Sequence, residues 1–338
     1  MSLGKFAVSI LAVSLALGGC TSLGVRQVGV DRVDYVDKLR DSEKQQLLSN
    51  IVAMRYGDAP LFLNVTSVIS QYTREASAHA GATVNPASDS DGDSVGGEVL
   101  LRETPTVTYT PITGGRFAHS MLSPLPPASM LAMMEAGWAS DDLLRVGVRS
   151  INGVANTSHA ALFEQKVDPR FEAVAAAFRR LQKSGAVSVR LKERDKAYAG
   201  SALVGPDLTD ADRADLALLK DVLGLKFDGG ETLVVFAKGG GPHELALATR
   251  SIFEILSELS LGVETSGGAG PADALIRVRS GARAPGDAYA SVRYRGRWFW
   301  IDGADDRSRR IFLLTQLLLF LNDEEGSPHG PLLTIPAG

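Results

Sequence analysis

An α+β fold with mixed or antiparallel sheets is what this sequence predicts, on two observations. Helix-forming and strand-forming stretches are interspersed along the chain. Several strands are joined by connections too short for a crossover helix, so neighbours pair directly as hairpins and a doubly wound parallel sheet is disfavoured. A content of 45% hydrophobic and 22% charged residues is that of a globular chain with a real core. Its 338 residues make one large or two medium domains, and no internal repeat is visible.

Residues 22–31 read as a tether with little periodicity, and a helix is expected from Asp41–Ser42. Ser42 and Gln45 have capping-box spacing, in which each side chain satisfies an orphan amide. Leu47, Leu48, Ile51 and Met54 give the apolar stripe, and Gly57 the C-terminal stop. Asp58-Ala59-Pro60 turns the chain into a β-branched-rich segment, Leu61 to Ile69. From Ala76 to Gly97 large apolar residues are scarce, which predicts a mobile loop, since such a stretch buries too little to offset its ordering entropy. A hairpin of Glu98–Arg102 and Thr106–Thr110 follows. Phe117 to Leu122 reads as a further strand, and Pro126-Pro127 opens a helix through Met134. Another helix is expected over Asp142–Ile151, closed by the turn signal Asn152-Gly153.

The next helix is the clearest in the chain. Asp168 is its N-cap, Pro169 takes the first helical position, where a missing amide is harmless, and Gly185 ends it. Phe171, Val174, Phe178 and Leu181 share one face. Ala186–Leu191 is a strand, Thr209 opens a helix closed by Gly224, and Glu231–Ala237 is a short apolar strand. Ser251 and Glu254 form a second capping box. After a link over 262–271 come a strand, Leu275–Arg279, and a hairpin, Tyr289–Ile301, turning at Arg295-Gly296. Two-residue hairpin geometry puts Ala290, Val292, Phe299 and Ile301 on one face and Arg293, Trp298 and Trp300 on the other. Arg307–Asn322 is apolar nearly all round and predicts a buried helix, with a last strand at Leu332–Ile335.

The N-terminus carries the plainest message. Lys5 precedes an apolar run, Phe6 to Leu17, ending in Leu17-Gly18-Gly19-Cys20-Thr21. A basic start, a short apolar core and small residues describe a secretory signal. A dozen residues fall well short of the roughly twenty a membrane span needs. Leu-Gly-Gly-Cys resembles the lipobox of bacterial lipoproteins, which implies cleavage before Cys20, acylation of its thiol and amine, and anchorage to the membrane. Several acyl chains hold effectively for good, because each buried methylene contributes about 0.8 kcal/mol. Thr21, where an Asp would imply inner-membrane retention, implies the outer membrane and its periplasmic face. The expected organisation is therefore a signal over 1–19, a tether over 20–32, an N-terminal α+β region over 33–165 with its loop near 76–97, and a C-terminal α+β region over 166–338.

Composition excludes several functions. The formal charge is −4, and loss of Lys5 with the signal takes it to −5, which disfavours a nucleic-acid partner. Cys20 is the single cysteine, so disulfides and thiolate metal sites are not available to the mature chain. The histidines (His79, His119, His159, His243 and His329) lie outside metal-ligand spacing of one another. His243-Glu244 starts like a zincin helix, but Leu247 stands where the second histidine must be. Asp89-Ser90-Asp91-Gly92-Asp93 starts like a calcium loop and then fails, with Ser94 for glycine and Leu100 for glutamate. There is no Gly-x-Ser-x-Gly elbow, and the glycine runs at 239–241 and 267–270 lack a P-loop lysine. No metal or cofactor is expected.

Two clusters are candidate sites. Arg55 and Asp58, in Arg55-Tyr56-Gly57-Asp58, suit either a polar ligand group or an ion pair locking the turn. Arg293, Trp298 and Trp300, among further arginines and aspartates, suit a protein partner, because aromatic and arginine side chains make interface hot spots. Stacked Trp and Arg also suit a glycan, while a covering helix would make both tryptophans core. Segments 54–63, 249–251, 292–302 and 332–338 resemble a family of uncharacterised proteobacterial lipoproteins, a likeness that implies export and lipidation and carries no activity. The expected function is non-enzymatic partner binding in the envelope. The alternative is an envelope hydrolase acting on glycan or cell-wall material through Asp and Glu, whose paired carboxylates leave no spacing in a sequence.

Overall fold

A computed structural model describes residues 23–83, 92–156, 168–194, 197–226, 232–235, 237–323 and 332–334. The expected signal, Cys20, His159, His329 and the opening Asp89-Ser90-Asp91 lie outside the described residues. The fold is α+β, with helices interspersed among mixed and antiparallel sheets. The chain divides into two compact units: residues 1–60, 158–165 and 256–316 form the first, and 61–157, 166–255 and 317–338 the second. Neither coincides with the regions 33–165 and 166–338 expected from chain order, because each unit is assembled from separated stretches.

In the first unit, α1 (Leu23–Arg55) is one helix of 33 residues. The expected tether over 22–31 and the start at Asp41–Ser42 are thus corrected: described helix begins at Leu23, carried without an amphipathic stripe until Leu47. Leu47, Leu48, Ile51 and Val52 are each at most 2% exposed. The helix ends at Gly57, whose φ of 80° suits glycine. There the Gly57 amide donates to Met54 O and the Asp58 amide to Ala53 O, a Schellman closure. α1 packs against β10 (Ala290–Tyr294), which pairs antiparallel with β11 (Arg297–Ile301). β9 (Arg279–Gly281) pairs with the other edge of β11, making a three-stranded sheet. The β10–β11 turn has φ 46° at Arg295 and 83° at Gly296, the positive pair a type I′ turn requires. The expected strand Leu275–Arg279 is displaced: regular pairing begins at Arg279, and Val278 makes a single parallel bridge to Val263.

The second unit holds two sheets. β1 (Leu63–Thr83) and β2 (Gly92–Pro111) form a long antiparallel hairpin, with β12 (Leu332–Thr334) parallel to β1 at Ser67–Ile69. This corrects the mobile loop over 76–97, where Ala76–Thr83 and Gly92–Gly97 pair as strand, and merges the two strands expected between Glu98 and Thr110. Backbone pairing needs no large apolar side chain, which is why composition missed it. The expected strand at Phe117–Leu122 is instead helix α2 (Gly114–Leu122). α3 (Pro127–Glu135) begins as predicted. α4 (Ser140–Gly147) stops short of Ile151, because the β-branched Val148–Ile151 forms β3.

The second sheet is six-stranded, in the order β4 (Val154–Ala155), β3, β8 (Glu244–Thr249), β7 (Thr232–Val235), β6 (Ala197–Val204), β5 (Val187–Arg194). Only the β7–β8 pairing is parallel among these strands. α5 (Arg170–Ser184) buries Phe171, Val174 and Leu181 completely. It starts one residue later than expected, although Asp168 Oδ1 still accepts the Arg170 amide at 3.0 Å. α6 (Asp210–Leu223) has a full capping box of Thr209 and Asp212. α7 (Ile252–Ser260) has the predicted one, with Glu254 Oε2 accepting the Ser251 amide and Ser251 Oγ accepting the Glu254 amide. α7 and α8 (Asp306–Asp323) each contribute residues to both units. α8 is not buried all round: Leu313 is 43% and Phe320 55% exposed.

Candidate interaction surface

Strand periodicity builds this site. Successive residues of a strand point to opposite faces, so β10 and β11 sort into two sets. Ala290, Val292, Phe299 and Ile301 are buried, as the hairpin geometry predicts. The other set pairs Ser291 with Trp300 and Arg293 with Trp298, and β9 places Arg279 beside Trp300 and Gly281 beside Trp298. Two rungs thus form one outer face: Arg279, Trp300 and Ser291, then Gly281, Trp298 and Arg293.

Exposure across this face is graded. Arg293 is exposed and makes no ion pair among the described residues, whereas Trp298 and Trp300 are half-buried. Trp300 leans toward Gly281, where an added Cβ would lie 3.1 Å from the indole. Glycine at 281 is therefore what lets the indole lie on the sheet. The Trp300 Nε1 is buried and has no hydrogen-bond partner among the described residues. Arg279 reaches Asp302 at 3.5 Å, and Arg297 donates to Ser280 Oγ at 3.1 Å.

The second candidate, Arg55 with Asp58, is rearranged. Asp58 does not lock its own turn through Arg55. It accepts hydrogen bonds from the Tyr294 hydroxyl and from Arg295 Nη2, the latter at 2.9 Å. The Tyr294 hydroxyl, helped by Arg295, holds the Asp58 carboxyl below the usual carboxylate range. Burial and the Asp58 hydrogen bond push the Tyr294 phenol up. Tyr56 lies against Tyr294 with centroids 5.6 Å apart and ring planes tilted by 32°, and meets Phe299 edge-on at 6.0 Å. The Arg295 guanidinium sits 5.3 Å from the Tyr56 centroid and 5.5 Å from that of Tyr294, within cation–π range. Arg55 is left with a buried Nε that has no partner among the described residues. Sequence reading placed Asp58 and the hairpin in separate clusters. The structure makes the helix end and the hairpin turn one clasp.

Several polar residues not singled out in the sequence are structural. Arg250 is 3% exposed and donates to the carbonyl of Arg145, while Thr249 Oγ1 donates to Leu125 O. Asn156, 2% exposed, donates to the carbonyls of Leu144, Arg145 and Val148. The buried acids on which a hydrolase would draw are engaged in the same way. Asp212 caps α6, Asp215 holds Arg180 at 2.7 Å, and Glu254 caps α7 while pairing with Arg149. Among the described residues no group of three His, Cys, Asp or Glu could hold a metal ion, and no helix is long and apolar enough to cross a membrane.

The surface can do one kind of chemistry well: present flat aromatic area beside guanidinium groups that bind carboxylates through paired N–H donors. No protein-family model, curated protein or solved structure matches the chain.

Proposed function

We propose that this chain is an envelope lipoprotein, anchored through acylated Cys20 with its folded part facing the periplasm, and that it binds a protein partner through the outer face of the β9–β11 sheet. It belongs with the proteobacterial lipoproteins that its segments 54–63 and 292–302 resemble. The observation that carries the reading is the exposed Arg293, without an ion pair among the described residues, beside half-buried Trp298. A guanidinium next to an indole, on a sheet whose opposite face is core, is the composition of an interface hot spot. Arg279 and Arg295 are neutralised by Asp302 and Asp58, whereas Arg297, which bonds Ser280 Oγ, adds positive charge to that of Arg293, so the partner presents an acidic segment.

The test is an affinity pull-down from crosslinked cells, comparing wild type with a Trp298→Ala/Trp300→Ala double variant, with melting curves for both. Loss of one stoichiometric partner from a variant that still folds is the expected result. A partner retained by the folded variant, or no partner captured by wild type, contradicts it. Because Trp300 packs over Gly281, Arg293→Glu serves as the companion variant if the double one unfolds.

A further inference from the structure

The β1–β2 ribbon runs far beyond anything that supports it. Apart from β12, which meets β1 only at Ser67–Ile69, no described element makes more than isolated contact with either strand. From residue 71 outward both of its edges are therefore unpaired among the described residues. An open edge is a template for another strand, and stable folds pair it or cover it.

Register sorts the ribbon into two sets, because alternate residues of a strand belong to opposite faces. In one set Ala76 pairs with Val99, Ala78 with Gly97 and Ala80 with Val95. In the other Ser77 pairs with Glu98, His79 with Gly96 and Gly81 with Ser94. Leu100 is the sole large apolar member of this second set over residues 71–83 and 92–104. The charged members of the first set stand near its limits: Arg74 pairs with Leu101, Glu103 with Tyr72 and Asp93 with Ala82. Apolar and polar positions alternating along antiparallel strands suit a ribbon with lipid on one side and water on the other.

Length favours a bilayer over a protein cover. Residues 72–82 and 93–103 make paired strands of about eleven residues, and a membrane-spanning strand takes about 9–11. At about 3.4 Å per residue and a tilt of about 45° they rise roughly 26 Å, against an apolar band of about 25 Å in membrane barrels. Tyr72 and Glu103 then fall at one interface and Asp93 at the other, where aromatic and charged residues belong. Hydrocarbon does not tolerate an open strand edge, so one ribbon cannot span alone. Copies related by rotation can pair β1 of one with β2 of the next and close a ring.

We propose that several copies of this chain pair their β1–β2 ribbons edge to edge into a membrane β-barrel, with the face of Ala76, Ala78 and Ala80 toward lipid and the face of Ser77 and Glu98 lining an aqueous channel. Glu98 stands at mid-height, so the barrel carries a ring of one carboxylate per copy, an arrangement that favours cations. Insertion depends on the ribbon alone and is independent of the tryptophan face.

The experiment adds the full chain to vesicles of phosphatidylethanolamine and phosphatidylglycerol, with a polarity-sensitive fluorescent amino acid encoded in turn at Ser77, Ala78, His79 and Ala80. Emission should shift to the blue at Ala78 and Ala80 and hold at Ser77 and His79. In planar bilayers of the same lipids the chain should open cation-preferring channels. Ala78→Arg should make them at least about tenfold rarer, because a cation on the lipid face is costly near the bilayer midplane, while Ser77→Arg should keep their frequency within about twofold. If melting shows Ala78→Arg unfolded, Ala80→Arg takes its place. Glu98→Lys should reverse the ion preference. Equal shifts at adjacent positions, absence of channels, or channels indifferent to Ala78→Arg overturn the barrel. Copies that crosslink in water and ignore vesicles also overturn it, and mark ribbons stacked protein to protein. An ion preference unchanged by Glu98→Lys overturns the assignment of the channel face.

Discussion

Asp58 joins the end of α1 to the β10–β11 turn through Tyr294 and Arg295. Its carboxyl is held below the ordinary range by Tyr294 and Arg295, so the sign of its pH dependence follows. A carboxyl depressed in the folded state contributes stability above its unfolded pKa and loses it as pH falls through the folded value. Asp58→Asn should therefore be less stable than wild type at neutral pH, with the difference shrinking in acid below the usual carboxylate range. Urea melts at a series of pH values measure this, and a constant difference would show that the clasp is not electrostatic. Asn156 makes a different kind of contribution, because its buried side-chain amide donates to three carbonyls, those of Leu144, Arg145 and Val148. Asn156→Leu should cost about 1–3 kcal/mol in urea denaturation, the penalty of losing buried hydrogen bonds.

Elements divide into those that carry their own stop signals and those that need a partner. The β10–β11 hairpin carries its own, with Arg295-Gly296 fixing the turn and alternation fixing the faces. The consequence is a sharp contrast along one strand pair. Phe299→Ala, at a side chain 1% exposed, should cost about 3–5 kcal/mol by opening a cavity, whereas Arg293→Glu should change stability by no more than about 0.5 kcal/mol. Thermal or chemical melts of the two variants read this directly. The β1–β2 hairpin is the opposite case. Beyond the short contact of β1 with β12, its distal rungs have no third strand among the described residues, and a two-stranded ribbon is marginal alone. Amides at Ser77–Thr83 should exchange with deuterium faster than those at Ser67–Ile69, as hydrogen-exchange mass spectrometry would show.

The same distinction explains what the sequence made legible. Capping at Thr209 and Ser251, glycine stops at Gly57, Gly185 and Gly224, and the Asn152-Gly153 and Arg295-Gly296 turns are local chemistry, and all lie where local chemistry puts them. The polar strands Ala76–Thr83 and Gly92–Gly97 and the Asp58–Tyr294 clasp depend on pairing across the chain, which composition does not encode.

For the whole molecule, the chain returns to its first unit after building most of the second, so neither unit is a contiguous stretch that deletion could isolate. The proposed anchor belongs to this scale. Cys20 lies just before α1, whose 33 residues span about 50 Å at 1.5 Å per residue. Cys20→Ser should move the protein out of the membrane fraction without changing its melting curve, and retention in that fraction would contradict the lipid anchor.

The central claim is that the outer face of the β9–β11 sheet binds an acidic protein. Site-specific photocrosslinking in living cells tests it most directly, with the photoreactive residue at Ser291 on that face and, as a control, at the exposed Asp210 of α6. One discrete adduct at Ser291, absent at Asp210 and abolished by Arg293→Glu, is the predicted result. Adducts of equal pattern at both positions, or an adduct at Ser291 indifferent to Arg293→Glu, would contradict it.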